Sequence, residues 1–272
     1  MSHTIQYHIN SHDNPMPDRP VQVTASEAEV EHLVQEGYLV REGLFQGDML
    51  EELRSAVDTL IAEYGGESGA QENTSQQFGG LFIRNLMDKH AFFHKLIHFD
   101  PFVSVARAVL GPQIQIHGTV IRVSYPGQLH QETHWHWHQR NMPSPVPPFF
   151  SRPRVLDNLV YLDDLDEDTG GLCVMPKSHL WLHKELAAND FSDKPGQVTL
   201  HVPAGTCVTS EACLWHRALP TLPTGRVRRL LIWGYSPTWM KQVDIPGGGL
   251  AEPLIKSGDL LTRELLGKSG WY

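Results

Sequence analysis

The sequence predicts a mainly β protein, with a jelly-roll-like core and helices ahead of it. Three observations predict it. Short apolar runs punctuated by turn residues recur from residue 113 onward. Amphipathic helical repeats fill the first third. The 272 residues include 23 Gly and 19 Pro, which suits many short strands better than a helical bundle. The length fits a single domain with a sizeable core. Its expected divisions are a mostly helical part at 1–112, a jelly-roll core at 113–240 and a tail at 241–272.

Residues 1–25 are polar and Pro-rich and read as a loose arm. Ser26 and Glu29 form a capping-box pattern, followed by Val30, Leu33 and Val34 at helical spacing, with Gly37 as the stop. From Asp48 to Tyr64, Leu50, Leu53, Val57, Leu60 and Tyr64 share one face. Asp48 is placed to cap that helix and Gly65-Gly66 to end it. Residues 66–79 read as a loop. Helices are expected at 87–98 and 101–110, the second opened by Pro101 and closed by Gly111-Pro112.

The pattern then changes period. Residues 113–123 alternate apolar and polar, as a half-buried strand does. Further strands are expected at 155–163, 171–175, 197–202, 206–209 and 227–235. The turns Thr169-Gly170-Gly171, Pro203-Ala204-Gly205 and Pro223-Thr224-Gly225 separate them. A last helix is expected near 258–266.

The balance of 22 basic and 31 acidic residues gives a net charge of −9. That argues against nucleic acid as a partner, because binding a phosphate backbone needs clustered cations. The N-terminus lacks a charged start followed by an apolar stretch, and no run of about 18 apolar residues exists, so neither a leader nor a membrane span is expected. Cys173, Cys207 and Cys213 are odd in number and irregular in spacing, which points to a reducing, cytoplasmic setting.

The 16 histidines crowd around 130–138, and this directs attention to metal chemistry. In an extended segment, residues two apart share a side, so His130 and Glu132 can present an imidazole and a carboxylate to one ion. His216, 84 residues after Glu132, supplies a third donor from another strand. Two histidines and a carboxylate leave half the coordination sphere open, which suits Fe(II), a chelating 2-oxo acid and dioxygen. His134, His136 and His138 fall on the same side as His130, and His136 or His138 is an alternative donor, though neither is followed by a carboxylate two residues on. Arg226 and Arg228 alternate in phase with Leu230 and Ile232, so both are expected to point inward, where a guanidinium can grip a carboxylate with two hydrogen bonds.

Several stretches together resemble the phytanoyl-CoA dioxygenase family over most of the chain. They are His130-Gln131-Glu132-Thr133-His134-Trp135, Asp157 to Asp164, Asp168 to His179, Ala204-Gly205-Thr206, Leu214-Trp215-His216-Arg217 and Arg228-Arg229-Leu230-Leu231. Glu36-Gly37-Tyr38-Leu39-Val40 is similar to the family's N-terminal helix and strand. The resemblance implies a double-stranded β-helix (cupin-like) core with packed helices. It also implies decarboxylation of 2-oxoglutarate to succinate and CO2, coupled to oxidation of a small molecule by Fe(II) and O2.

On the family pattern, His130, Glu132 and His216 are the expected iron ligands, and Arg228, Arg226 and Asn158 the expected 2-oxoglutarate contacts. Glu132 stands where the family has Asp. The family's arginine falls at Val227 by spacing, and the flanking residues favour Arg228 over Arg226. Lys177 replaces a common Gly. Halogenating relatives carry Gly or Ala at the carboxylate position, so Glu132 argues against halogenation. His134, Trp135 and His136 are expected near substrate, and the loop after the motif is expected to cover the pocket with Phe149, Phe150 and Arg152. The competing reading is a non-catalytic jelly-roll protein that binds a metal or small ligand. The sequence leaves substrate and oligomeric state open.

Overall fold

The computed structural model describes residues 2–8, 18–65, 79–138, 154–181 and 184–268. The expected cover of Phe149, Phe150 and Arg152 lies outside these residues, as does most of the 66–79 loop.

The first third is not a loose arm followed by four α-helices. Strands β1 (His3–His8) and β2 (Asp18–Val23) pair antiparallel. Val21 and Val23 are buried, so hydrophobic burial rather than composition decides the local order here. Helix α1 (Glu27–Glu36) carries the expected capping box and stops at Gly37 with φ 85°. Helix α2 (Gly47–Tyr64) begins before Asp48, which sits in its first turn instead of capping it, and buries Leu50, Leu53, Val57 and Leu60. The expected helix at 87–98 is two 3-10 turns, Leu86–Asp88 and Ala91–Leu96, divided where the His90 side chain accepts from the Phe92 N–H. Helix α3 (Asp100–Leu110) has Pro101 in its first turn. Two short helices, α4 (Glu252–Ser257) and α5 (Leu260–Leu265), lie near the C-terminus.

The core strands fall close to their expected places: β5 (Ile114–Ser124), β6 (Leu156–Tyr161), β7 (Leu172–Val174), β8 (Val198–Leu200), β9 (Cys207–Glu211), β10 (His216–Ala218) and β11 (Arg228–Pro237). With β3 (Tyr38–Arg41) and β4 (Leu81–Arg84) they form a six-stranded sheet ordered β3-β9-β6-β11-β5-β4 and a three-stranded sheet ordered β10-β7-β8. Every pairing in both sheets is antiparallel. This is the two-sheet jelly roll.

The large sheet is covered on both faces. Leu156, Val160, Cys207, Leu231 and Trp233 pack with the helices. Leu159, Tyr161, Val208 and Leu230 pack with Leu172 and Val174 of the small sheet. The alternation in β5 therefore does not mean one wet face. Gln115, Thr119, Arg122 and Ser124 are all buried. The polar residues of that strand point into the protein, and their chemistry must be accounted for there.

Candidate active site

Three imidazoles converge where the two sheets meet. One ligand atom from each of His136, His138 and His216 lies within 4.8 Å of the others, the one such group among the described residues. His136 and His216 face each other in an isolated antiparallel bridge and exchange both backbone hydrogen bonds at 3.0 Å. That bridge adds the 136 segment to the edge of the small sheet beside β10. The His138 N–H then bonds the Ala212 carbonyl at 2.7 Å, which pins the segment to the loop between β9 and β10.

The hydrogen bonds fix which nitrogens are free. Nδ1 of His136 meets the His134 carbonyl and Nδ1 of His216 the Leu214 carbonyl, each at 2.8 Å. A carbonyl only accepts, so each Nδ1 carries the proton and each Nε2 keeps its lone pair. His138 Nδ1 lies 2.7 Å from Asp157 Oδ2, which again turns Nε2 toward the other two rings. Ring centroids stand 4.3 Å apart for His136 and His216 and 4.8 Å for His138 and His216.

The electrostatics suit a cation. Burial, with the charge of His138 adding to it, pushes the buried His216 down to about 4. Burial and His216 hold His136 well below the ordinary histidine range. Both are therefore neutral at pH 7, the form that binds metal. Burial would raise the Asp157 carboxyl, but the hydrogen bond and charge of His138, with His117 behind them, hold it below the usual carboxylate range. A carboxylate behind a ligating imidazole is the arrangement that orients metal-bound histidines. The donor set fits a divalent ion with its far side open.

The group that the structure brings together differs from the ligand set expected from spacing. His216 belongs to the group, while His130 and Glu132 do not. Residues sharing a side at two apart requires extended backbone. At Pro126–His130 the chain turns instead, and His130 is exposed with φ 62°. Extended pairing begins at His136, so the pair that shares a side is His136 and His138. His136, expected near substrate, stands in the donor group.

A second cluster lies further along the interior. Arg122, Ser124, Tyr161, Gly171, Ala218, Arg228 and Leu230 line a small, largely enclosed pocket of about 10 Å3. Ala218 is two residues along β10 from His216, about 7 Å. Arg228 is 4% exposed and donates to the carbonyls of Thr169, Gly170 and Leu219 and to Ser124 Oγ. Arg226 lies before β11 begins, is exposed and pairs with Asp166 at 2.9 Å, so the expected inward pair reduces to Arg228. Asn158 is buried on the opposite face of β6, where it accepts from Thr209 and donates to the Trp233 carbonyl. Strand alternation turns it away from the pocket.

The sequence reading missed Arg122, Tyr161, His138 as a preferred donor, and Asp157. For Arg122 the overlooked signal was a charged residue between Ile121 and Val123 in the apolar end of β5.

An open cleft of about 260 Å3 beside His136 is lined by His134, Trp135, Trp137, Leu186, Ala187 and Ala188 as well. Trp135 is 1% exposed and donates Nε1 to the Ser192 carbonyl, so most of it is packing. Lys177 adopts φ 64°, which explains why glycine is common at that turn.

Residues 33–229 match the family model for phytanoyl-CoA dioxygenase (PhyH). The chain belongs to the phytanoyl-CoA dioxygenase family. Among curated relatives, an ectoine dioxygenase of Nocardia farcinica is 29% identical over 157 residues, covering 53% of this chain and 48% of that protein. The chain thus matches about half the length of this relative. Among solved structures, HygX from Streptomyces hygroscopicus with nickel, 2-oxoglutarate and hygromycin B bound superposes with a TM-score of 0.65 at 18% identity, over 83% of this chain and 96% of that one. SnoK, a non-heme alpha-ketoglutarate-dependent carbocyclase of nogalamycin biosynthesis, gives 0.62 at 17% identity, over 79% and 85%. These two likenesses carry the fold. No helix among the described residues is long and apolar enough to cross a membrane.

Proposed function

We propose that this family member is a non-haem iron(II), 2-oxoglutarate-dependent dioxygenase acting on a small molecule. The net reaction converts 2-oxoglutarate, O2 and a substrate C–H bond into succinate, CO2 and C–OH. His136, His138 and His216 would hold the iron, whose chemistry is activation of O2 at its open positions. The observation that carries the reading is the buried cationic pocket one strand step from His216. Two guanidiniums there have carbonyls and a hydroxyl as hydrogen-bond partners among the described residues, and a buried cation without a counter-ion is costly. A five-carbon 2-oxo diacid would supply that anion. The relative named for ectoine dioxygenation and the neighbour holding 2-oxoglutarate support the same chemistry.

The residues of the chain have separable tasks. Asp157 holds His138 in the ligating tautomer. The His136–His216 bridge fixes the angle between two donors. Arg228 grips the co-substrate's distal carboxylate. The cleft by His134 and Trp137 is where a substrate reaches the metal.

A three-histidine set is also a catalytic zinc set, and that donor count favours a second reading, a zinc lyase or hydrolase. Anaerobic Fe(II) and 2-oxoglutarate separate the two. The oxygenase shows a weak visible charge-transfer band and, on admitting air, releases succinate. The zinc reading predicts neither.

A further inference from the structure

The structure assigns Arg122 as a second guanidinium for the co-substrate's distal carboxylate, tied through Gln131 to the segment that carries two metal donors. The inference rests on the 2-oxoglutarate reading.

Register places it there. Arg122 on β5 pairs with Leu230, and Arg228 pairs with Ser124. The two arginines are therefore diagonal neighbours on one face of the large sheet, about 7 Å apart at Cβ. Both are buried and both line the same pocket. Diagonal like charges inside a protein repel, and each has lost its hydration. A carboxylate between them offers one oxygen to each and removes both penalties.

Arg122 also has unused capacity. Its Nη2 donates to the Gln131 carbonyl, while its Nε is buried without a hydrogen-bond partner. Its guanidinium lies 5.4 Å from the Phe82 ring centroid, which supports one face and leaves an edge for the pocket. Gln131 is itself fixed: it is fully buried and donates Nε2 to the carbonyls of Tyr125 and Gln128. Two residues on, the Thr133 N–H bonds Ala218, and His136 and His138 follow. Arg122 thus touches the co-substrate pocket with one edge and the root of the metal-bearing segment with another.

Calorimetric titration of 2-oxoglutarate into metal-free and Co(II)-loaded protein tests this, together with titration of Co(II) alone. Arg122→Met should weaken 2-oxoglutarate at least tenfold in both forms and weaken Co(II) several-fold. Arg122→Lys should recover part of the first loss. Circular dichroism checks that each variant is folded. If Arg122→Met does not fold, Arg122→Lys carries the test. One ammonium cannot bridge carboxylate and carbonyl, so affinity for 2-oxoglutarate should still fall about threefold. Unchanged 2-oxoglutarate affinity in the folded Arg122 variant, with affinity lost in Arg228→Met, overturns the inference and leaves the proposed function standing. Unchanged affinity in Arg228→Met as well overturns both.

Discussion

His138 turns its Nδ1 onto the buried Asp157, 2.7 Å away, and so aims Nε2 at His136 and His216. A carboxylate from the large sheet thus orients a donor from an irregular segment, and the cradle needs both sheets to exist. Asp157→Asn keeps the shape but weakens the acceptor. It should lower Co(II) or Fe(II) affinity about 10–100-fold, measured by competition with a chelator. An unchanged affinity would mean that the pair is only a contact.

Replacing His136, His138 or His216 by Ala should each abolish metal retention, read by elemental analysis after anaerobic loading. His130→Ala and Glu132→Ala should keep the metal. The reverse result would restore the ligand set that spacing suggested.

The two strand-entry arginines should separate cleanly. Arg228→Ala should raise the 2-oxoglutarate requirement for succinate release by about two orders of magnitude, since charge-assisted pairing in a buried site is lost. It also takes a donor from the Gly170 and Leu219 carbonyls, so a lower melting temperature is expected. Arg226→Ala removes an exposed ion pair with Asp166 and should change both quantities little.

Protonation gives a pH test on the metal-free protein. His216 is held at about 4 in the fold by burial, against about 6.5 unfolded. The folded value is depressed, so the unfolded chain binds more protons between these values and stability falls as pH drops through that window. The loss should reach on the order of 2–3 kcal/mol from this group. Urea melts from pH 7 to 4 would show it, and His216→Gln should flatten the curve over the same range. Bound Co(II) should shift the loss to lower pH.

Much of this was legible in the chain. The capping box at Ser26, the apolar face of α2 and the core strands followed from local periodicity. The buried positions of His216 and Arg228 agree with motif order. Asp48 was misread because a cap depends on where backbone leaves the helix. The 18–23 strand was misread because its burial against α3 is a long-range fact, visible in the Thr24 and Ala25 N–H groups both bonding Ser104.

Local pattern was enough for the family, the positions of the core strands and a supply of histidines and arginines sufficient for a metal and an anion. Which of them meet depends on long-range packing. The turn at 126–130 shifts extended pairing from His130 to His136. The two-faced burial of β5 turns Arg122 inward, and alternation on β6 sends Asp157 toward His138 and Asn158 to the helices. Local spacing fixes which residues can share a face, but partners distant in sequence fix which face is inside.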